Sequence, residues 1–470
     1  MRPAELAFAL DEVALSEWLL GRRWFASKAR DVAHVHVLDA VVLHDGVPGL
    51  VVACVEARFH AGTHELYQLL LAMRPSEEAW ERDVVAHTAG VTVYEALADP
   101  AASAVLGRLL RERAEVDGAT AHVSFRWVED GAAPPADHGS VRAMGAEQSN
   151  SSLVFDDALV LKAYRRVEAG VNPELEMLRF LSEREFPNIA PLRGWYEYRG
   201  ELMEATFGVV QDYVAGGRDG WELALDELGS EPEAFLARLR ELGVVVAQMH
   251  TLLGSDGSDP AFVPEEPSEE TLALLTATID EQIEQVFLDL PPDDPDVEPI
   301  AGRGEEVRDR LRLLSQLGER GRLIRHHGDL HLGQTLLVTR AHAPAWIILD
   351  FEGEPARPLL ERRRKRSPLR DVAGMLRSFA YAASASSLQR GIVAPSGWEE
   401  RAREEFLDGY FETVDQTLLP HGPAAARALL SIFELEKAVY ELRYELNNRP
   451  DWVRIPVAGI ARLMEEDESG

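Results

Sequence analysis

One stretch, residues 326–371, constrains this chain more than any other part of the sequence. It reads HHGDLHLGQTLLVTR and, a few residues later, AWIILDFEGEPARPLLERRRKRSPLRD. Asp329 stands in a tight His-Gly-Asp loop, and Gln334 follows it by five positions. A short apolar run comes directly after Gln334, and a second apolar run stops where Asp350 begins. The pattern predicts two short buried strands that carry an Asp, an amide and a second Asp at their ends.

This set of residue types suits phosphoryl transfer. One carboxylate can accept the proton of the attacking hydroxyl, while an amide and a second carboxylate hold magnesium against the nucleotide phosphates. Protein kinases place Asp, four residues and Asn in their catalytic loop, and a later Asp-Phe-Gly supplies a metal carboxylate. Here Asp329-x4-Gln334 and Asp350-Phe351-Glu352-Gly353 fill those positions, with Gln for Asn and one extra residue before the glycine. Because Gln still offers a carbonyl oxygen, metal binding can survive the exchange. We therefore predict Asp329 as the catalytic base and Gln334 and Asp350 as Mg2+ ligands.

Two other interpretations of the same stretch were weighed. The carboxylates could simply cap the loops at two strand ends. His327 and His331 are four positions apart, which is the spacing of two zinc ligands on one helix face. Glycines at 328 and 333 make a helix poor there, and the only cysteine, Cys54, is far upstream. A zinc site is therefore disfavoured.

Composition excludes several classes of protein. A chain of 470 residues is too long for one ordinary core, so two or three domains are expected. The net charge of −32 argues against general binding to nucleic acids or anionic membranes. A single cysteine excludes an internal disulfide framework and suits a cytoplasmic protein. The first twenty residues lack a signal-peptide core, and no apolar run is long enough to span a membrane.

The chain divides into three predicted parts, at residues 1–90, 91–212 and 213–470. The first part reads as a helix end, a compact Arg/Trp/Phe turn (RRWF) and a half-buried antiparallel sheet, with strands near 35–43, 49–59 and 65–73. The second part begins with a mostly helical segment that we expect to break at Pro100. Short strands follow it, and helical periodicity dominates the third part.

A lysine and a glutamate in the second part predict a functional ion pair. Lys162 lies on an apolar strand, VLKAY, where an unpaired charge would be costly. Asn172-Pro173-Glu174 is a strong helix start, with Asn as N-cap and Pro in the first turn. A strand lysine paired with a helix glutamate orients nucleotide phosphates in kinases. We predict Glu174 as the partner, with Glu176 as the alternative. A surface lysine beside a glutamate that serves the helix dipole is the competing interpretation.

Two further segments are predicted to bind the nucleotide. The first is the small polar link QSNSS, residues 148–152. Its N–H groups and hydroxyls can lie over phosphates, although a surface turn is the default interpretation. The strand FGVVQDYV, followed by Ala-Gly-Gly, stands where a two-lobed kinase would have its hinge, so its last backbone groups would meet adenine. The residues concerned are Gln148, Ser149, Asn150 and Ser151 in the link, and Gln211, Asp212, Tyr213 and Val214 in the hinge.

The helical part offers candidates for a sugar site. His250 lies on an apolar helix side and is predicted to be a core histidine. The basic run ERRRKR, residues 361–366, predicts either a loop near phosphate or a solvated face. One stripe of the helix over 424–447 mixes aromatic and hydrogen-bonding groups, as sugar sites do, with a solvent face as the alternative. The predicted sugar contacts are Lys437, Tyr440, Glu441, Tyr444 and Asn448 on this helix, and His331, Glu352 and Arg370 around the central stretch.

With these pieces placed, the chain resembles actinobacterial maltokinases, of the aminoglycoside-phosphotransferase-like kinase group. RRWFASKAR, HHGDLHLGQ, DFEGEPARPLLERRRKRSPLRDVAGMLRS and YELRYELNNRPDWVRIP carry the resemblance, which covers nearly the whole length. It implies an α+β, bilobal protein-kinase-like fold with an N-terminal cap subdomain, a β-rich N-lobe and a mainly helical C-lobe. It also implies phosphorylation of the anomeric hydroxyl of maltose by ATP, in support of alpha-glucan synthesis. Trehalose synthase would then be a candidate partner.

Alternatives to a maltose kinase remain open at this stage. A related group of actinobacterial glucosamine kinases has a similar plan, and an aminoglycoside substrate would suit an acidic chain. Choice among these sugars should depend on contacts in the sugar pocket rather than on the catalytic loop. A catalytically inactive kinase-like scaffold is a different class, and the intact carboxylates argue against it.

Overall fold

The computed structural model describes residues 3–129, 133–136, 139–145, 149–291, 294–315, 321–340 and 342–465. The chain forms two compact units. The first consists of Met1–Glu183, Ala190–Ala215 and Pro355–Glu361, and the second of Arg184–Ile189, Gly216–Glu354 and Arg362–Gly470. Within the described residues, none of the helices combines the length and apolarity that crossing a membrane requires.

The first unit is rich in β-structure. Up to residue 215 the elements are α1 (Pro3–Phe8), α2 (Glu12–Leu20), β1 (Val32–His44), β2 (Gly49–Phe59), β3 (His64–Pro75), β4 (Val84–Thr88), β5 (Val91–Glu95), α3 (Pro100–Glu112), β6 (Glu115–Asp117), β7 (Ala121–Trp127), β8 (Val141–Ala143), β9 (Asn150–Phe155), β10 (Leu159–Tyr164), β11 (Arg166–Val167), α4 (Pro173–Glu183), β12 (Leu192–Gly200) and β13 (Glu204–Asp212).

Two antiparallel sheets make up this unit. The N-terminal sheet has the order β1-β2-β3-β5-β4, and β11 pairs with β3 at its side. The second sheet has the order β6-β7-β12-β13-β10-β9-β8. β5 lies beyond residue 90 in the sequence, yet it pairs with both β3 and β4. The strand that carries Lys162, β10, lies between β13 and β9 in the second sheet.

The RRWF turn packs as the sequence predicts, but the N-terminal sheet is more buried than expected. Trp24 and Phe25 lie in a core with Leu15, Trp18 and one face of β2. The prediction of a half-buried sheet is wrong, because the other face of β2 is buried as well: its Cys54 is 1% exposed. Tyr198 of β12 lies beside Cys54 on that face, and α3 of the same unit also contacts β2.

Pro100 begins a helix instead of breaking one: of the mostly helical segment predicted over 93–113, the part from Pro100 onward is confirmed and the part before it is wrong. The residues before it form β5 and a short turn. Asp99 accepts a hydrogen bond from the Ala101 N–H at 2.9 Å and caps α3, which starts at Pro100. Proline is favoured at the first helical position because its missing N–H would have no partner there.

The second unit is mainly helical. After residue 215 the elements are β14 (Arg218–Asp219), α5 (Gly220–Ser230), α6 (Pro232–Leu253), α7 (Glu269–Leu288), α8 (Gly304–Ser315), β15 (Thr335–Arg340), β16 (Ala343–Ile348), α9 (Leu359–Arg362), α10 (Leu369–Arg390), α11 (Trp398–Thr413), α12 (Pro423–Asn448) and α13 (Arg454–Glu465).

Close packing of α6 against α11 depends on two glycines. A Cβ on Gly243 would clash with the carbonyl oxygen of Phe406, and a Cβ on Gly409 would clash with that of Arg240. Strands β14, β15 and β16 form a small antiparallel sheet in the same unit. Both strands predicted around Gln334 and Asp350 are therefore present, and they form a hairpin whose open end carries these two residues.

Candidate active site

Asp329 lies in a loop whose backbone is held by a buried carboxylate. The N–H groups of His327 and Gly328 donate to Asp371 at 2.7 Å and 2.9 Å. Gly328 has φ of +86°, a conformation that favours glycine, so the His-Gly-Asp sequence matches the turn it must make. Asp371 stands in the first turn of α10 and is 2% exposed. It therefore anchors the Asp329 loop and not only the start of its own helix.

Asp371 keeps its charge despite its burial. Burial alone would raise the pKa of this carboxyl, but the neighbouring His326 and a hydrogen bond from His250 hold its pKa well below the usual range. His250 lies 3.0 Å from Asp371 and 2.9 Å from the Tyr410 hydroxyl, and it is fully buried. The prediction that His250 is a satisfied core histidine is confirmed. Its contacts support the anchor of the loop.

Gln334 and Asp350 lie beside each other, as predicted. The Gln334 side-chain nitrogen is 3.3 Å from an Asp350 carboxylate oxygen. The Leu349 N–H donates to the backbone carbonyl of Gln334 at 2.9 Å. The backbone of Asp350 has φ of +60°. Such a conformation is costly for a residue other than glycine and clusters at functional sites, and Asp tolerates it better than most. Two side chains that each carry an oxygen atom able to bind a metal therefore meet at the hairpin end.

A lysine on α12 connects Asp329 with a second carboxylate. The Lys437 ammonium is 3.8 Å from an Asp329 oxygen and 3.3 Å from a Glu354 oxygen. Burial works against its charge, but the carboxylates of Asp329 and Glu354 raise the pKa of Lys437, so it stays protonated. The lysine therefore lies next to the position where Asp329 would meet a substrate hydroxyl.

The other predicted sugar residues of α12 are divided between surface and core. Tyr440 and Tyr444 are 40% and 46% exposed, and the Asn448 amide donates to the Tyr444 carbonyl. Glu441 instead pairs with the buried Arg377 at 2.8 Å. The two tyrosines are thus accessible for stacking, whereas the Glu441 carboxylate is engaged within the helical core.

Three predicted sugar residues outside α12 have well-defined neighbours in the second unit. The His331 Nδ1 accepts a hydrogen bond from the Gly333 N–H at 3.1 Å, and burial lowers the pKa of His331. Glu352 lies 3.8 Å from Arg362. Arg370 pairs with a glutamate on α12 at 2.8 Å and lies over the Phe433 ring. Of these, His331 is closest in sequence to Asp329.

His327 and His331, whose spacing also allowed the disfavoured zinc interpretation, do not lie together on a helix. The His327 Nε2 is 2.7 Å from the Leu349 carbonyl oxygen, which ties the Asp329 loop to the end of β16. The basic run of residues 361–366 is also drawn into the fold. Lys365 contacts Glu265 at 2.7 Å, and the Arg366 backbone pairs with Ile324. The run is therefore not a purely solvated face.

In the first unit, Lys162 and Glu174 form the predicted ion pair. The Lys162 ammonium is 2.9 Å from a Glu174 carboxylate oxygen, and Glu174 is 1% exposed. The Tyr164 hydroxyl donates to the same oxygen at 2.8 Å. Asn172 caps α4 by accepting from the Glu174 N–H at 2.8 Å, as its sequence position predicts. Glu174, and not Glu176, is the partner of the lysine.

Part of the predicted phosphate link belongs to a strand. Gln148 lies outside the described residues, and Ser149 precedes β9. Asn150 and Ser151 belong to the strand itself and are 9% and 1% exposed. The Ser151 hydroxyl accepts a hydrogen bond from Arg165 at 2.6 Å. The interpretation of these two residues as part of a loop is wrong, because their side chains hold a neighbouring strand.

The predicted hinge residues end β13. The Gln211 side chain donates to the Ala190 carbonyl at 3.0 Å, and Asp212 pairs with Arg193 at 2.5 Å. The Tyr213 N–H donates to the Ala158 carbonyl at 2.8 Å. β13 ends at Asp212, so Tyr213 and Val214 lie outside the strand. These contacts fix the end of the strand, and the backbone N–H of Tyr213 is already used within the unit.

Two residues near Asp329 were missed by sequence reasoning. Glu354 contacts Lys437, and Asp371 holds the loop through its backbone. Asp371 lies in the first turn of α10, and Glu354 lies two positions after Glu352. The sequence places Asp371 near a helix start, but this position alone does not say which loop its carboxylate holds.

The pKa of His326 leads to a prediction on stability. Burial lowers the pKa of His326 to about 4, although the Asp371 carboxylate acts in the opposite direction. The ordinary value is about 6.5, so between these values the unfolded chain binds more protons than the folded one. We expect the free energy of unfolding to fall as the pH is lowered from 6.5 towards 4. Urea titrations at pH 7, 6 and 5 measure this, and a His326→Gln variant should show a flatter dependence. An unchanged slope in that variant would contradict the assignment.

Comparisons with known proteins can now be set beside this geometry. Residues 18–99 match the maltokinase N-terminal cap domain. This region is similar to a maltokinase cap. We refer to residues 18–99 as the cap from here on. The match confirms the predicted resemblance to maltokinase-type kinases, which rested in part on the RRWFASKAR segment of this same region.

Two relatives extend the comparison over most of the chain. A glucosamine kinase of Streptacidiphilus jiangxiensis is 24% identical over 399 residues, which is 82% of this chain and 86% of the relative. A glucosamine kinase of Mycolicibacterium smegmatis is 25% identical over 341 residues, covering 70% of this chain and 80% of the relative. A glucosamine kinase solved in complex with glucosamine, ADP and inorganic phosphate superposes with a TM-score of 0.69 and 20% identity, over 98% of this chain and 100% of the other. The predicted α+β, kinase-like fold with its cap, β-rich N-terminal part and helical C-terminal part is confirmed.

Proposed function

We propose that this protein is an ATP- and Mg2+-dependent sugar kinase that phosphorylates maltose at its anomeric hydroxyl and gives maltose 1-phosphate. The observation that carries the proposal is the Asp329 loop. The buried Asp371 holds the backbone of this loop, and Gln334 and Asp350 lie together at the end of the adjoining hairpin. A phosphotransferase needs both a proton acceptor and oxygen donors for a metal. The cap and the kinase-like relatives support a sugar kinase in particular.

Asp329 is proposed to act as the general base. Its carboxylate orients the sugar hydroxyl and accepts its proton as the new bond to phosphorus forms. Asp371 and Gly328 restrict the loop backbone, so the carboxylate does not have to be ordered during each turnover. Lys437, 3.8 Å from Asp329, is placed to donate a hydrogen bond to a sugar oxygen.

The residues fit a magnesium ion and a nucleotide. Mg2+ prefers oxygen ligands, and the Gln334 carbonyl and the Asp350 carboxylate supply them at one hairpin end. When bound, the ion would neutralise the charge that the phosphates carry. Lys162, oriented by Glu174 and Tyr164, is proposed to contact the phosphates. Its rigid setting is what a phosphate-binding lysine requires, because the ammonium must be charged and pointed in one direction.

The choice of maltose is proposed from the exposed face of α12. Tyr440 and Tyr444 are exposed and four residues apart, so both lie on one side of the helix. Aromatic rings stack on sugar faces while neighbouring polar groups bind the hydroxyls. Two rings in succession, next to Lys437, provide more stacking surface than a single sugar ring needs. The product would feed alpha-glucan synthesis, with trehalose synthase as a proposed partner in the cytoplasm.

Glucosamine is the second candidate substrate, because both curated relatives are named glucosamine kinases. The two substrates differ in charge. Glucosamine carries an ammonium group, whereas maltose is neutral. Lys437 lies beside the carboxylates of both Asp329 and Glu354, so charge at this point does not select between the two sugars.

A coupled ADP-release assay with Mg-ATP tests the proposal across maltose, glucose, glucosamine and kanamycin. We expect turnover with maltose to exceed turnover with each of the others. Preferential turnover of glucosamine or kanamycin would retain the kinase chemistry and overturn the substrate. No ADP release with any of the four would favour an inactive kinase-like scaffold.

A further inference from the structure

We propose that the cap is part of the nucleotide-binding apparatus, and that its Gln68 is a positioning residue for the Lys162–Glu174 pair. This inference rests on the proposed function, which assigns Lys162 to the nucleotide phosphates. It gives the cap a task in the reaction, whereas packing alone would need only apolar contact. Gln68, Lys162 and Glu174 all belong to the first unit, so the argument concerns a single compact body.

The Gln68 side chain is fully buried, and both ends of its amide are used. Its nitrogen donates to the carbonyl oxygens of Tyr164 and Phe207, each at 2.8 Å. Its oxygen accepts from the Tyr196 hydroxyl at 2.7 Å. Its backbone N–H donates to the Arg165 carbonyl at 2.7 Å. One residue of cap strand β3 is thus bonded to β10, β12 and β13 of the second sheet, and to the segment that follows β10.

These bonds end two residues from Lys162. Tyr164, whose carbonyl Gln68 holds, is the last residue of β10, and its hydroxyl donates to Glu174. Lys162 reaches the same Glu174 oxygen. The backbone at Tyr164 therefore sets the position of a hydroxyl that orients the partner of the lysine. A shift of this strand end would move the ion pair.

Other residues of the cap contact Arg165, the next residue in the chain. The Arg165 guanidinium lies 4.8 Å from the centre of the Trp24 ring and 3.0 Å from Glu95, both in the cap. Arg165 is 2% exposed, and its Nε donates to Ser151 on β9. Beyond it, β11 pairs with β3 in the cap sheet. The cap therefore holds the chain continuously from Tyr164 to the end of β11.

A buried, fully bonded amide specifies geometry in a way that an apolar side chain does not. Removing it would leave two buried carbonyl oxygens without their donor, so the strand ends would have to move to find other partners. Gly208 shows how closely the strands meet there, because a Cβ on it would clash with the Lys162 carbonyl oxygen. Gln68 is thus placed where a small displacement has a direct effect on Lys162.

The test is a Gln68→Leu variant of the full chain, compared with the wild-type protein. The measurements are the dissociation constant of Mg-ADP by titration without sugar, and the separate KM values for ATP and for the sugar. We expect Mg-ADP affinity to fall about tenfold, a change of ~1.4 kcal/mol, and KM for ATP to rise in parallel. KM for the sugar should stay the same. A merely structural role would not separate the two KM values.

Asp99→Asn is the matched control. Asp99 also lies in the cap, is 2% exposed and pairs with Arg74 at 2.9 Å, but it does not contact residues 164–167. The substitution removes the buried charge that pairs with Arg74, so the variant should lower Tm. Asn can still cap α3, and Mg-ADP affinity should stay within about twofold of wild type. Equal Mg-ADP affinities in Gln68→Leu and Asp99→Asn would overturn the inference.

A smaller change keeps the test decisive if Gln68→Leu does not fold. Tyr196→Phe removes only the hydroxyl that donates to the Gln68 amide. We expect it to weaken Mg-ADP binding in the same direction, by less than Gln68→Leu. Unchanged affinity in this variant would count against the inference. If the wild-type chain itself bound no Mg-nucleotide, the proposed function would fail instead, so the two failures are distinguishable.

Discussion

Asp329→Asn is expected to lower kcat by about 10^3-fold while the protein still binds Mg-ATP, because a positioned general base typically contributes 10^2- to 10^4-fold. Asn has the same shape as Asp and can still hydrogen-bond to a sugar hydroxyl, but it does not accept the proton. Nucleotide affinity should change little, since the predicted metal ligands are Gln334 and Asp350. The ADP-release assay gives kcat, and a titration with Mg-ATP gives the affinity.

Glu354→Gln is the control for this experiment. Asp329 and Glu354 both lie close to the Lys437 ammonium, so either substitution removes one carboxylate from the lysine. If Asp329 is the base, Glu354→Gln should lose far less turnover than Asp329→Asn. Similar losses in the two variants would point to an effect through Lys437. Near-normal turnover in Asp329→Asn would exclude the base assignment.

Asp350→Ala is expected to abolish the magnesium-dependent part of nucleotide binding. The side chain is one of the two oxygen donors at the hairpin end, and the amide of Gln334 alone would be a weak site. ATP affinity should therefore become nearly the same with and without Mg2+. Isothermal titration in magnesium and in EDTA measures the difference directly.

The backbone of Asp350 calls for a second variant. Its φ of +60° is tolerated by Asp and Asn but is strained for Ala, so the alanine variant also disturbs the loop. Asp350→Asn keeps the conformational preference and removes only the charge. If Asp350→Asn bound ATP with the full wild-type magnesium dependence, Asp350 would not be a metal ligand.

Several structural features could be predicted because they depend on local sequence. The strand over Gly49–Phe59 has the predicted bounds, and the apolar strand predicted at VLKAY is present as β10, since apolar runs between turn residues specify strands directly. The Lys162–Glu174 pair was predictable for a different reason. A lysine on a buried strand requires a partner, and an acidic residue at a nearby helix start was the natural one.

Other features depended on which surfaces the fold brings together. The second face of β2 could not be known as buried, because its cover comes from other elements of the unit. The sequence of Asn150 and Ser151 suggests a polar loop, yet both residues pair with β10 as part of β9. Their side chains accept hydrogen bonds from Arg165. In both cases the competing influence was tertiary contact, which overrides local preference.

The sequence alone determined the chemistry of the candidate site. The spacing predicted that Gln334 and Asp350 would meet at the end of one hairpin, with Asp329 in the loop before it, because short strands and tight turns leave few ways to arrange them. Only the tertiary structure decided how these residues are held. Asp371 anchors the loop from 42 positions beyond Asp329, and Gln68 reaches the strand of Lys162 from 94 positions before it. Such contacts depend on how distant segments pack, and no local pattern encodes them.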